Sequence, residues 1–354
     1  MKKCKIKGSE YIKKHTKPKI NIYNNIYLKS MFLCILTLIY LILRLTQKAF
    51  DEDERKSKVI ERPKKTHLKK ETKFEYFCCF CAMGKKENLY SRELIEYYRS
   101  IGIEKFVFGD NNEPNTEKLS DVLQDYIKNG VVDILEIFGS TIGQGEFYGV
   151  MYEKYKKRCK WLTFFDFDEY LVMHFDNTKN LTIKEYLSSD IFHDCEGIEI
   201  NWLMHGDNDL VYYDNRSSIE RFTRPDYSNY ANRFVKSIVR GNLDKIVFKP
   251  GDTQHQPNRE LKLCNSLGEP AEYYPDCIIP PIFKYSYIMH FNTRTAEEYA
   301  NKIKRGYPSG FSFKSNELNQ RVRNFFKNNK FTEEKLEVFK KSFNVTIDYA
   351  DNKS

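Results

Sequence analysis

The sequence predicts a doubly wound, Rossmann-like α/β domain behind one N-terminal membrane-spanning helix, and three observations carry that expectation. From Phe74 onward, short apolar runs alternate with amphipathic stretches, the texture of strands exchanging with helices. A run of aromatic and β-branched residues at 161–165 delivers Asp166 and Asp168 at its carboxyl end. Ahead of both lies a 20-residue segment, 26–45, in which only Lys29 and Arg44 are charged.

Composition narrows the class further. At 41% hydrophobic and 15% aromatic over 354 residues, the chain is too apolar for disorder and too mixed for a multispan membrane protein. The net charge of +9 is unevenly placed: residues 1–73 hold 20 Lys and Arg against 7 Asp and Glu, the remainder 38 against 42. Phosphate neutralisation supplies most nucleic-acid affinity, so a slightly acidic body argues against a nucleic-acid partner.

In chain order, residues 1–25 form a basic tail with eight Lys and one Glu. Twenty residues at about 1.5 Å per residue span a hydrocarbon core of about 30 Å, and Lys29 and Arg44 reach its two interfaces. The far flank opens with Asp51, Glu52, Asp53 and Glu54, so the positive-inside bias leaves the N-terminus in the cytoplasm. The expected topology is single-pass type II, with the domain facing the Golgi lumen in a eukaryotic host or anchored to a bacterial membrane. Residues 46–72 are charged, lack apolar periodicity and read as a stem. Sequons at Asn180, Asn215 and Asn344 lie on the outward side. Seven cysteines follow the apolar segment, an odd number that cannot all pair internally. Cys78, Cys79 and Cys81 sit in an apolar run and read as small buried hydrophobes.

The domain proper opens with the apolar run 74–83, a strand buried on both faces as in a parallel sheet. Residues 87–100 place Tyr90, Leu94, Ile95 and Tyr98 on one helical face, and Gly102 ends that helix. A second strand follows at 105–108, with Gly109, Asp110, Asn111 and Asn112 as a polar loop at its end. A helix over 116–128 closes at Asn129 and Gly130, and residues 131–138 form a third strand. Ligands collect at strand carboxyl ends in this order of elements, which makes Asp110 a site candidate and equally a capping residue of the next turn.

The residues 161–171 carry the strongest signal. Two carboxylates at i and i+2 beyond a buried strand offer hard oxygens suited to Mg²⁺ or Mn²⁺, and such an ion would bridge to a diphosphate. That block is joined by Glu87, Asn88, Tyr90 and Glu93 after the first strand, Asp110 and Asn111 after the second, Trp202 to Gly206, Arg221 and Phe222, Lys236 to Arg240, and His290 with Lys302 and Arg305. Over about residues 74–310, the set resembles the GT-A glycosyltransferases of families 2 and 92.

The resemblance implies a GT-A domain over 73–310 with a C-terminal helical extension at 311–354. It implies transfer of a sugar from a nucleotide-sugar donor to a glycan or other hydroxyl acceptor, with inversion and a Mn²⁺ or Mg²⁺ cofactor. Asp110 would face the nucleoside, Asp166 and Asp168 would hold the metal, and Lys236 would lie at the substrate. Lys302 and Arg305 would assist the leaving diphosphate, or else lie on a solvated helix face; His290 is a third metal ligand or a structural histidine. A single displacement needs a base for the acceptor proton. Asp207 is the candidate, in a His205-Gly206-Asp207-Asn208-Asp209 run that departs from the family and also reads as a turn; His255 is a second pocket candidate. Two rivals stand beside this reading, a non-catalytic membrane-anchored glycan-binding protein on the same fold and an aspartate-nucleophile phosphatase.

Overall fold

In a computed structural model the chain divides into two units, residues 1–71 and 72–354. The structure describes residues 73–138, 140–175, 180–244, 246, 248, 255–257, 260–271, 277–307 and 313–343. The basic tail, the apolar segment 26–45, the stem and Asn344 lie outside the described residues. Among those described, no helix is long and apolar enough to cross a membrane.

Strand β1 (Tyr76–Gly84) is buried along its last seven residues. Helix α1 (Asn88–Ser100) lays Leu94, Ile95 and Tyr98 over it, and Gly102 closes the turn at φ +96°, a conformation that costs glycine least. Strand β2 (Lys105–Asp110) retains Gly109 and Asp110, so the polar loop begins two residues later than its composition suggests. The helix expected over 116–128 breaks at Leu123 into α2 (Leu119–Val122) and α3 (Gln124–Lys128). Strand β3 (Val132–Glu136), helix α4 (Gln144–Tyr155) and strand β4 (Cys159–Phe164) complete a parallel half. Helix α4 packs Phe147, Tyr148, Met151 and Tyr152 onto the sheet.

The chain then turns through Asp166 and Asp168 into β5 (Glu169–Met173). Helix α5 (Ile183–Leu187), strand β6 (Gly197–Met204), helix α6 (Ser218–Arg221), strand β7 (Val235–Arg240), the two-residue strand β8 (Leu263–Cys264) and strand β9 (Ser286–His290) follow. The strand order is β3-β2-β1-β4-β7-β6-β9-β5, with β8 alongside β6. The sheet is parallel from β3 to β4; β7 is then antiparallel to both β4 and β6, and β9 runs parallel to β6 and antiparallel to β5. The fold is therefore a mixed α/β sheet, parallel only from β3 to β4 in its first half.

Helix α7 (Ala296–Arg305) carries a capping box, Thr295 accepting from the Glu298 N–H. Two further helices, α8 (Ser315–Asn328) and α9 (Glu333–Phe343), build a separate apolar cluster with α7, in which Tyr299 and Ile303 meet Phe325 and Phe339. Disulfides join Cys79 to Cys159 across β1 and β4, and Cys195 to Cys264. Cys78 and Cys81 are buried free thiols, as expected for small apolar residues, whereas Cys79 is a cross-link.

Candidate active site

Strand β4 ends at Phe164 because the chain leaves the sheet there, and the turn that follows is held by the sheet on either side. A Cβ on Gly84 would meet the Phe167 ring at 2.8 Å, so the glycine at the end of β1 is what lets the turn seat against that strand. The Asp166 N–H donates to Glu169 Oε2 at 2.9 Å, and the Asp168 carbonyl accepts from the Phe291 N–H. The two side chains consequently meet different partners.

Asp166 accepts from Lys236 Nζ at 2.8 Å, Gln144 Nε2 at 2.5 Å and the Tyr148 hydroxyl at 3.1 Å. Lys236 reaches it because β7 pairs with β4 in a register that sets Ser237 opposite Phe164, leaving Lys236 beside the departing chain. Its ammonium is wholly buried and also lies 3.7 Å from Glu169 Oε1. Burial opposes the charge on Lys236, but Asp166 and Glu169 outweigh it and hold its pKa above the ordinary lysine value.

Asp168 Oδ2 accepts from Lys302 Nζ at 2.7 Å, and its Oδ1 lies 3.7 Å from His290 Nε2. Lys302 also donates to the Asn292 side chain at 2.7 Å. Burial opposes ionisation of Asp168, yet Lys302 and His290 keep its pKa well below the usual carboxylate value. Burial lowers the pKa of His290, against the opposing pull of Asp168.

Among the described residues, Asp168, Glu169 and His290 form a group that could hold a metal ion, with one ligand atom of each lying within 4.8 Å of the others. Glu169 and His290 are register partners in the β5–β9 pairing. Glu169 Oε1 and His290 Nδ1 are both buried without a hydrogen-bond partner, as expected of ligand atoms. Two carboxylates and one imidazole therefore fit a divalent cation. The expected set was Asp166, Asp168 and His290; the structure brings Glu169 together with Asp168 and His290, while Asp166 lies against Lys236. Glu169 was in plain view next to Asp168, but only the β5–β9 register shows that it faces His290.

A cavity of about 180 Å³ opens over the turn, with Asp166, Asp168, Lys302 and Arg305 in its wall. Glu87 lies there too, paired with Arg305 and, at 3.3 Å, with Arg294. Arg305 also bonds the Lys85 carbonyl, so both Lys302 and Arg305 stand at the site rather than on a solvated face. Gln144, Lys85 and Arg321 line the cavity as well, and no local pattern singled them out. His255 packs against Trp202, which also touches His290, at ring distances of 5.2 and 4.3 Å. Burial lowers the His255 pKa well below its ordinary value, with Lys236 adding to the effect.

Two expected residues are placed elsewhere. Asp110 is fully buried, and its carboxylate accepts the N–H groups of Asn112 at 3.0 Å and Leu119 at 2.7 Å, so it caps α2 and does not line the cavity. Asp207 is buried in an ion pair with Lys335 of α9 at 2.5 Å, while its N–H donates to Asn329 at 2.8 Å. Asp207 thus fastens the C-terminal helices and does not reach the cavity.

Residues 151–251 match the model of glycosyltransferase family 92. That segment holds Asp166, Asp168, Glu169 and Lys236. No curated protein matches the chain. Among solved structures, TarS of S. aureus is similar at 12% identity and a TM-score of 0.35, over 71% of this chain and 43% of that one. The chain thus spans less than half the length of that protein. A structure of TarS 1–349 in complex with UDP-GlcNAc is similar at 12% identity and a TM-score of 0.33, over 75% of this chain and 79% of that one. The family match thus lies on the segment that carries the carboxylate pair, and it supports a glycosyltransferase reading over a phosphatase one.

Proposed function

We propose that this glycosyltransferase takes a nucleotide-sugar donor and moves its sugar to a glycan or other hydroxyl acceptor in a single inverting displacement. The observation that carries the reading is the cavity wall in which Asp166 and Asp168 stand beside Lys302 and Arg305. In the transfer, the acceptor oxygen bonds to the anomeric carbon as the bond from that carbon to the phosphate oxygen breaks. The electron pair leaves with the nucleoside diphosphate, and the hydroxyl proton passes to a base. Charge builds on phosphate oxygens in the transition state, where preorganised cations help most.

Lys302 and Arg305 are oriented for that work before the donor arrives, the first by Asp168 and Asn292, the second by Glu87. Asp168, Glu169 and His290 would hold a divalent cation, Mn²⁺ or Mg²⁺, and the imidazole favours Mn²⁺. When bound, that ion supplies charge neutralisation to the diphosphate. Lys236, buried between Asp166 and Glu169, offsets their mutual repulsion and holds both in register.

We read the chain further as a type II membrane enzyme with its domain in an oxidising compartment. The two disulfides and the apolar segment 26–45 support this. Alkaline extraction of membranes from expressing cells should leave the full chain in the pellet; recovery in the supernatant would refute the anchor. For the activity, the full chain is tested against a panel of nucleotide sugars for diphosphate release, with Mn²⁺, with Mg²⁺ and with chelator. Release from one donor that chelator abolishes is the expected result. Release indifferent to chelator removes the metal from the reading, and no release from any donor removes the reading itself.

A further inference from the structure

Two of the three sequons lie among the described residues, and they are built alike. Asn180 and Asn215 are both exposed, and each is followed two residues on by a hydroxyl, Thr182 or Ser217, with Leu181 and Arg216 between. In each case that hydroxyl caps a short helix. Thr182 Oγ1 donates to Glu185 Oε2 at 2.9 Å and accepts from the Glu185 N–H at 3.2 Å, ahead of α5. Ser217 Oγ donates to Glu220 Oε2 at 2.8 Å and accepts from the Glu220 N–H at 3.4 Å, ahead of α6. The asparagine therefore stays in solvent while the third residue of its motif is closed into a capping box.

Both asparagines also stand clear of the cavity. Tyr213, just before Asn215, donates its N–H to Glu297 Oε2 at 2.9 Å in the first turn of α7, whereas Lys302 and Arg305 reach the cavity from the last turn. From Glu297 to Arg305 the helix advances about 12 Å, at about 1.5 Å per residue. Asn180 bridges to His174, just past the end of β5, whereas Glu169 of the metal group opens that strand. From Glu169 to His174 an extended chain covers about 16 Å. An oligosaccharide on either asparagine would leave the cavity open.

We propose that Asn180 and Asn215 are sites of N-linked glycosylation, modified on the nascent chain before α5 and α6 are capped. A sequon needs its hydroxyl as well as its asparagine, and in the folded domain each of these hydroxyls is already both donating and accepting. Modification therefore comes first, and the same hydroxyl then serves the fold. In the step itself, the side-chain nitrogen of the asparagine bonds to the anomeric carbon of an oligosaccharide carried on a lipid diphosphate. The bond from that carbon to the phosphate oxygen breaks, the electron pair leaves with the diphosphate, and the amide loses one proton; a membrane oligosaccharyltransferase of the host supplies the catalysis. The proposal rests on the reading that places the domain in an oxidising compartment beyond the membrane. It adds two modified residues and the order of modification and folding.

The test expresses the full chain in eukaryotic cells and follows its mass before and after digestion with an N-glycosidase. Asn180→Gln and Asn215→Gln are each expected to remove one oligosaccharide, and pulse-labelled chains should already carry both at the end of synthesis. Substitution separates the two roles of the hydroxyl. Ser217→Thr keeps the glycan and the cap, and Ser217→Asn keeps the cap but loses the glycan. Ser217→Ala loses both, with the melting midpoint of the deglycosylated protein down by about 2–4 °C, the worth of one N-cap in a domain of this size. Thr182→Ser, Thr182→Asn and Thr182→Ala should repeat that pattern. Unchanged mass in either glutamine variant, a glycan first acquired during the chase, or Ser217→Asn with the mass of wild type would each overturn the proposal. Protease added to sealed membranes tests the orientation separately: a protected domain without glycans sinks the glycosylation and spares the topology, whereas a digested domain sinks both.

Discussion

The carboxyl ends of β2 and β4 present the same residue type at the same kind of position, two strands apart in one parallel sheet, and the structure uses them in opposite ways. At β2, Asp110 is satisfied by N–H groups two and nine residues on, so its partners are local backbone. At β4, Asp166 and Asp168 are satisfied by ammonium groups 70 and 134 residues away. A strand-end aspartate that answers its own loop is part of the scaffold. One that gathers cations from other elements, at a cavity wall, is part of a site. Asp207 is a third case, partnered from afar by Lys335 but sealed in an interior that no substrate reaches.

Four measurements press on that contrast. The largest effect belongs to Asp207: Lys335→Met leaves a buried carboxylate unpaired, and about 3–5 kcal/mol of unfolding free energy should be lost, seen in denaturant titration. If Asp207 were instead the acceptor's base, Asp207→Asn would abolish turnover in protein that still folds. Next, Asp168→Asn should cut turnover by on the order of 10² or more, with the melting midpoint little changed, because a full charge leaves while shape is kept. Full activity in that variant would return the pair to an ordinary turn.

The third substitution reverses the balance. Asp110→Asn turns an amide toward one of two backbone donors, so stability should fall by about 1–2 kcal/mol while turnover and the Michaelis constant for donor stay within a few-fold. A raised donor constant with intact stability would instead give Asp110 the nucleoside contact that the family resemblance implies. The smallest effect is one of sign with pH. Burial raises the Asp110 pKa in spite of its two N–H donors, so its contribution to stability is present below the ordinary carboxylate pKa and is lost as pH rises through the folded value. Asp125, paired with Arg92 at the surface, is lowered to about 2, so its contribution is present above the ordinary value and is lost as pH falls toward about 2. Stability differences between wild type and each Asn variant, followed from pH 2 to 7, should therefore slope in opposite directions; parallel slopes would contradict the assignment of Asp110 to a buried cap.

Much of the parallel half was legible in the sequence, because its signals are local. The apolar run of β1, the i and i+4 spacing of Tyr90 and Leu94 in α1, and the glycine stop at Gly102 each report on a few consecutive residues, and the elements appear where expected within one or two positions. The split of the 116–128 helix was not legible, since what sets its start is the Asp110 carboxylate reaching Leu119. Asp166 and Asp168 were found for the same local reason, as a carboxylate pair beyond an aromatic strand. Lys302 and Arg305 were reached through the family resemblance, and nothing in their own helix distinguishes a cavity wall from a solvated face.

By itself, then, the sequence determined the alternation of strands and helices through the first half, the carboxylate pair at β4 and the apolar segment ahead of the domain. Tertiary structure alone decided that Glu169 faces His290, that Lys236 lies between two acids, that Asp110 and Asp207 leave the site, and that α8 borders it. The physical reason is one of range. Periodicity and capping arise from contacts within a turn or two, and a sequence displays them directly. Which cation meets which carboxylate depends on the register of antiparallel neighbours, β4 with β7 and β5 with β9, where a slip of one residue turns every side chain to the other face.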